Sequence, residues 1–212
     1  MKMKRILLAT LLVFAMLCTV GLTACDDTED TSSAASVGLA YEKSEDGSTC
    51  MVTGIGTCAD ANVIIPEKID GATVTAIAKN AFENAASITG ITFPSTLKTI
   101  GEYAFSGCTS LSSVILPDGV VNLGYHTFAD CSSLTSVTIP VSVTAVRGGA
   151  FDGCSSLSAV YYEGADKTTF AKITVAEKND AFKSATVYCY SEMQPVTNGN
   201  FWRYVDGVPT KW

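Results

Sequence analysis

The chain has 212 residues, 47% of them hydrophobic and only 17% charged, a balance that excludes a disordered or supercharged polymer and allows one domain with a sizeable core. The formal charge of −7 understates its acidity: residues 1–24 carry Lys2, Lys4 and Arg5 and no acid, and the remainder has 11 basic against 21 acidic residues, a net −10. A surface of that sign repels phosphate backbones and anionic headgroups, which sets nucleic acid aside as a partner.

Residues 1–24 read as a secretory leader. Met1 to Arg5 is a cationic start, and Ile6 to Leu22 is an uncharged apolar run, short for a spanning helix and typical of a signal peptide. Leu22-Thr23-Ala24-Cys25 resembles the lipobox of bacterial lipoproteins, in which the Cys thiol receives diacylglycerol and cleavage follows on its N-terminal side. That resemblance makes Cys25 the lipidated residue and places the chain outside the cytoplasm, anchored to the cell envelope. Each buried CH₂ of an acyl chain contributes about 0.8 kcal/mol, so several chains hold stably. Residues 25–36, acidic and then Ser/Ala-rich, read as a disordered tether.

The folded part, residues 37–190, opens with a hairpin around Asp46-Gly47. Cys50 and Cys58 flank a predicted turn at Gly54-Ile55-Gly56; in an oxidising compartment they can form a disulfide if they face each other across strands, and otherwise stay as thiols. Ile69-Asp70-Gly71 stands before the first full coil.

The repeat itself has a period of 23. Ala81-Phe82, Ala104-Phe105, Thr127-Phe128 and Ala150-Phe151 recur in register, followed by Ala85, Cys108, Cys131 and Cys154, then by Ile88, Leu111, Leu134 and Leu157. Ile91, Val114, Val137 and Val160 come next, and Pro94, Pro117 and Pro140 close three of the copies. One unit has too few apolar groups to bury its own face, whereas stacked units share a continuous interior. The Leu-x-x-Val-x-Ile-Pro segment alternates inward apolar and outward polar residues up to a proline that cannot extend a ladder, which predicts a short strand. Val143 to Val146 predicts a second extended stretch, and Gly148 to Gly153 a single helical turn.

The pattern Ala-Phe-x-x-Cys-x-Ser-Leu-x-x-Val-x-Ile-Pro resembles the BspA-type leucine-rich repeat of bacterial surface proteins, most clearly over residues 63–162. The resemblance implies a β-rich leucine-rich-repeat solenoid of 23-residue coils, with an N-terminal hairpin cap and a C-terminal aromatic hairpin cap. The C-terminal flank leaves the period: Ala181-Phe182 follows 31 residues after Phe151. Residues 191–212 form the expected cap, with Asp206-Gly207 turning a hairpin that sets Phe201 opposite Trp212.

Cys108, Cys131 and Cys154 share one repeat position and read as buried core fillers rather than a metal site, since neither CxxC spacing nor a His cluster is present. His126, the single histidine, matches Tyr103 and Gly149 and reads as a solvated residue. No nucleophile, base and oxyanion site assemble, so an enzyme with a catalytic site, a metal or a cofactor is not expected. Outward-pointing strand residues Thr92, Ile115, Thr138 and Tyr161 form the candidate ligand face, a nearly uncharged strip that predicts a protein partner, from host or bacterial surface. About five coils at roughly 4.8 Å make a sheet about 24 Å long, enough for a small interface. Two alternatives remain: a polysaccharide held on the cap aromatics, and a passive envelope scaffold.

Overall fold

The computed structural model describes residues 35–192 and 199–212; Cys25, the leader and nearly all of the tether lie outside them. Within them the chain winds as a coil with two strand ladders. Strands β1 (Ala40–Lys43) and β2 (Thr49–Gly54) form the expected antiparallel hairpin. Its loop is tied by the Asp46 carboxylate, which accepts from Ser44 Oγ at 2.7 Å, Ser48 N at 3.0 Å and Ser48 Oγ at 2.8 Å. Those bonds to the charged form lower its pKa to about 2. One ladder begins with β3 (Asn62–Ile64) and continues through β6 (Gly90–Thr92), β8 (Ser113–Ile115), β10 (Ser136–Ile139), β12 (Ala159–Tyr162) and β14 (Thr186–Tyr190). Ser112 N–H donates to Thr89 O at 3.2 Å where β8 meets the coil before it.

The other ladder starts at β2 and runs through β5 (Ala72–Ile77), β7 (Thr99–Ile100), β9 (Asn122–Leu123), β11 (Ala145–Val146) and β13 (Thr174–Val175), each in parallel with its hydrogen-bonded neighbour. Strand β4 (Lys68–Ile69) folds back on β5 through Asp70-Gly71, both at positive φ, the backbone of a two-residue hairpin turn.

Between the ladders stands the column that the period implies. Phe82, Phe105, Phe128 and Phe151 stack at centroid spacings of 5.1, 5.4 and 5.6 Å, nearly parallel. Phe182 joins at 5.0 Å despite the longer spacing in sequence. All five are buried, as are the Leu, Val and Ile positions around them. Ring-on-ring contacts of this kind add about 0.5–1.5 kcal/mol each beyond area burial.

The turn that carries each Phe has a backbone rule that the side chains conceal. Asn80, Tyr103, His126 and Gly149 all lie at φ between 53° and 67°, and Asn84, Gly107, Asp130 and Gly153 at φ between 57° and 75°. Two left-handed residues per coil curl the loop so that its N–H groups point to the next coil: Phe82 N to Ala104 O, Phe105 N to Thr127 O and Phe128 N to Ala150 O, each 2.8 Å. Non-glycine residues reach this region at a cost, least for Asn and Asp, and the bonds to the neighbouring coil offset it.

Cys108, Cys131 and Cys154 complete the ladder from inside. Their thiols donate to the carbonyls of Phe82, Phe105 and Phe128 at 3.2, 3.2 and 3.0 Å. Burial pushes the Cys108 and Cys154 thiols up to about 12 and Cys131 higher still. Such thiols stay protonated at neutral pH and are poor nucleophiles.

The extra residues after Phe151 form α1 (Lys167–Phe170), N-capped by Asp166, which accepts from Thr169 N at 2.9 Å, and α2 (Asp180–Ser184). The break in period leaves Phe151 N–H without the usual backbone carbonyl. Asn179, fully buried, replaces it: its Oδ1 accepts from Phe151 N at 3.0 Å, and its Nδ2 donates to Arg147 O at 2.8 Å and to Ala176 O and Glu177 O at 3.2 Å. One side chain re-joins two coils of unequal length. The chain ends in β15 (Phe201–Val205) and β16 (Val208–Lys211), with β15 parallel to β14. The Asp206-Gly207 turn has the expected register, and Trp212 N–H donates to Phe201 O at 3.1 Å.

Candidate interaction surface

The strand face that sequence singles out divides in two. Thr92 is exposed on β6 and Ile115 is 40% exposed on β8. Thr138 and Tyr161 are not available: they are 1% and 8% exposed. Alternation correctly points Tyr161 away from the main core, but the chain supplies its own cover there. Trp202 of β15, wholly buried, lies 5.3 Å from the Tyr161 ring and donates its indole N–H to Tyr162 O at 2.9 Å. Ala159, Tyr161 and Trp202 form a second small core, with Tyr188, Tyr190 and Tyr204 packed against it. Only Thr92 and Ile115 of the four therefore stand open.

The aromatic hairpin spends its rings on the chain itself. Trp202 meets Tyr190 at 5.2 Å and Tyr204 at 4.8 Å, both edge-on. Trp212, still 40% exposed, has the Arg203 guanidinium 4.2 Å over one face and donates its indole N–H to Ser191 O at 3.1 Å. Lys211 sits 4.6 Å over Tyr188. Tyr204 donates to Glu163 Oε1 at 2.7 Å. The Glu163 carboxyl is raised, first by burial and also by the neighbouring Asp118 carboxylate.

Cys50 and Cys58 are both buried and both free. The turn at Gly54-Ile55-Gly56 does not bring a second strand back along β2, whose neighbours are β1 and β5; Cys50 Sγ instead donates to Ala72 O at 3.5 Å. The facing strands expected to set the two thiols opposite each other are therefore not formed. Cys25, the expected lipidation site, lies outside the described residues. His126 stacks on Tyr103 at 4.9 Å in the left-handed position rather than standing free. Among the described residues no three His, Cys, Asp or Glu side chains gather as a metal site, and no helix is long and apolar enough to cross a membrane.

On the opposite ladder sequence reasoning missed exposed apolar groups: Val121, Tyr125 and Val141 all face solvent. The signal was available, since Val121 and Tyr125 stand where the preceding coil has Lys98 and Glu102.

Comparison with known proteins agrees with this architecture. The family model described as BspA type leucine rich repeat region matches residues 75–194 in six copies. The leucine-rich repeat protein of T. pallidum superposes with a TM-score of 0.58 at 26% identity, over 73% of this chain and 69% of that one. A leucine-rich repeat protein from Bacteroides capillosus gives 0.55 at 31% identity, over 60% of this chain and 95% of its own. A leucine rich cell surface protein from Faecalibacterium prausnitzii gives 0.52 at 27% identity, over 63% of this chain and 40% of that longer one. No curated protein matches. With six repeat copies matched over more than half its length and a single phenylalanine column running through them, the chain belongs to the BspA-type leucine-rich-repeat family.

Proposed function

We propose that the chain is a surface interaction module, carried on a lipidated Cys25 and a short tether outside the cytoplasm, that binds a protein partner through the open half of its first strand ladder. The repeat fold is that of a protein-interaction or adhesion-type module, and one structural neighbour is a cell surface protein. The observation that carries the reading is Ile115, a large apolar side chain left 40% exposed on a strand face whose other half is closed by the chain's own aromatics. Around it Thr92, Ser112 and Ser113 are exposed and uncharged, the kind of low-desolvation rim that surrounds an interface anchor. The open area is small, so useful adhesion draws on many anchored copies engaging together.

The test uses the full chain displayed on cells, with Ile115→Asp beside Val141→Asp, an apolar residue 60% exposed beside the opposite ladder. Capture of a host or bacterial surface protein should survive V141D and fall by about tenfold or more in I115D, the effect of losing an interface anchor. Equal capture by both variants overturns the assignment of the face. Radiolabelled palmitate should enter the chain and be lost in Cys25→Ser; incorporation unchanged in C25S removes the anchor.

A further inference from the structure

The second ladder carries a feature that a protein-binding face on the first does not use. Strands β7 and β9 floor a shallow groove of about 750 Å³ that reaches Arg147 just beyond β11, in the third coil, and is lined besides by Lys98, Glu102, Val121, Asn122 and Tyr125. Two glycines stand beside it. A Cβ at Gly119 would lie 2.2 Å from Leu97 O, so the backbone of the preceding coil requires glycine there, and the Lys98 side chain runs past the same position, 3.0 Å at Nζ and 3.1 Å at Cδ from where that Cβ would be. A Cβ at Gly148 would touch Cδ1 and Cε1 of Tyr125 at 3.5 Å, so the Tyr125 ring rests against the coil beyond it while staying 50% exposed. Both side chains are supported on one side and open on the other.

The charges in the groove do not cancel. Glu102 is paired with Lys79 at 3.0 Å. Lys98 and Arg147 make no ion pair with any described residue, although acids outnumber bases in the sequence. Two unpaired cations on either side of a supported aromatic ring make a local positive site on an otherwise acidic molecule, which attracts an anion.

The backbone decides what kind. An extended peptide would need an open strand edge to add to; here β7 is bonded to β5 and β9 to β11, and where β7 and β9 share no ladder bond their edges face each other, the two coils still joined by Tyr103 N to Tyr125 O at 3.0 Å. What remains is a ring face, an amide at Asn122 and two cations. A pyranose offers C–H groups to the negative face of an aromatic ring, hydroxyls to an amide and, when it is a uronate or a sulfate ester, an anion to Lys and Arg. Lys98 and Arg147 belong to coils two apart, about 10 Å along the ladder, which suits a short run of sugar rings better than one.

We propose that this groove binds an acidic polysaccharide, with sugar stacked on Tyr125 and its carboxylate or sulfate groups paired to Lys98 and Arg147. This site is separate from the Ile115 face and from the C-terminal aromatics. The experiment measures binding of the full chain to immobilised polygalacturonate, dextran sulfate, neutral dextran and poly-L-glutamate. Polygalacturonate or dextran sulfate should be retained, and which of the two is held tells carboxylate from sulfate; neutral dextran and poly-L-glutamate should be retained weakly or not at all. Tyr125→Ala, and Lys98→Ala with Arg147→Ala, should each weaken binding about tenfold or more, while Tyr125→Phe keeps the ring and the affinity and Val37→Asp changes nothing. Failure to hold either acidic glycan overturns the proposal, as does poly-L-glutamate held as tightly as the glycan or a Y125A variant that binds as well as the parent. Circular dichroism of each variant, all at exposed positions, shows that the fold is intact.

Discussion

The two aromatic assemblies of this molecule are built on opposite principles. The column of Phe82, Phe105, Phe128, Phe151 and Phe182 stacks like on like, each ring placed by its own coil and met by an identical one at 5.0–5.6 Å. The cluster of Tyr161, Tyr188, Tyr190, Trp202 and Tyr204 has no repeat, packs at mixed angles, and depends on a tryptophan 40 residues from the carbonyl it binds. A local rule repeated many times makes an interior of any length, while its end must be closed by something made once. The difference should appear as breadth of damage on mutation.

Phe128→Ala strikes the middle of the column, where the ring is buried between Phe105 and Phe151. It removes a large core side chain and the two stacks at once, and should cost about 3–5 kcal/mol, seen as a drop in the denaturation midpoint of the whole solenoid, since each coil contacts only its neighbours. A loss below about 1 kcal/mol would mean that the coils collapse onto the gap and that the column is not what holds them in order.

Trp202→Ala should do comparable but confined harm, about 3 kcal/mol. Hydrogen exchange separates the two: the amides of Cys189 and Ser191, which bond Asn200 O and Trp202 O at 2.9 Å, should lose protection, while Phe105 N–H, bonded to Thr127 O, keeps it. Loss at both places would erase the distinction between column and closure.

The same contrast explains what could be read before folding. The Phe, Leu, Val and Cys positions were legible because stacking demands the same residue type every 23 positions. Two left-handed residues per coil were not, because Asn, Tyr, His and Gly at one position share a backbone conformation and no side-chain chemistry. His126 looked free for that reason. Tyr161 looked exposed because alternation tells which side of a strand a residue faces, not whether a segment about 40 residues on returns to cover it, and Thr138 is buried in register beside it. The groove around Tyr125 was hidden for a third reason: its lining comes from three successive coils whose residues at those positions share no chemistry.

Asn179 sits between the two assemblies, at the joint where the period breaks. Asn179→Ala strips the partner from Phe151 N–H and from the carbonyls of Arg147, Ala176 and Glu177 inside a fully buried site. Buried groups left unsatisfied should lower stability by about 2 kcal/mol, and unfolding should lose cooperativity, the coils up to Phe151 melting apart from those after it. A single sharp transition at an unchanged midpoint would show that the joint is carried by the Phe151–Phe182 stack alone.

The smallest effect tests the closure through the half-buried carboxyl of Glu163. Burial raises the Glu163 carboxyl above its ordinary value of 4.5, while the Tyr204 hydroxyl, bonded to it at 2.7 Å, favours the charged form and holds the rise in check. Because the folded value lies above the unfolded one, the contribution of Glu163 to stability is complete below about pH 4.5 and is lost as pH climbs through the raised value. Tyr204→Phe removes the donor that the carboxylate relies on, so the variant should lose under about 1 kcal/mol at pH 7, a figure discounted for the part of the pair that solvent screens. At pH 4 the protonated Glu163 no longer needs that donor as a counterweight to its charge, and the loss should shrink. Denaturation of parent and variant at the two pH values reads the difference; an equal loss at both would mean that Tyr204 contributes only its ring to the aromatic cluster and that the carboxyl plays no part in closing the solenoid.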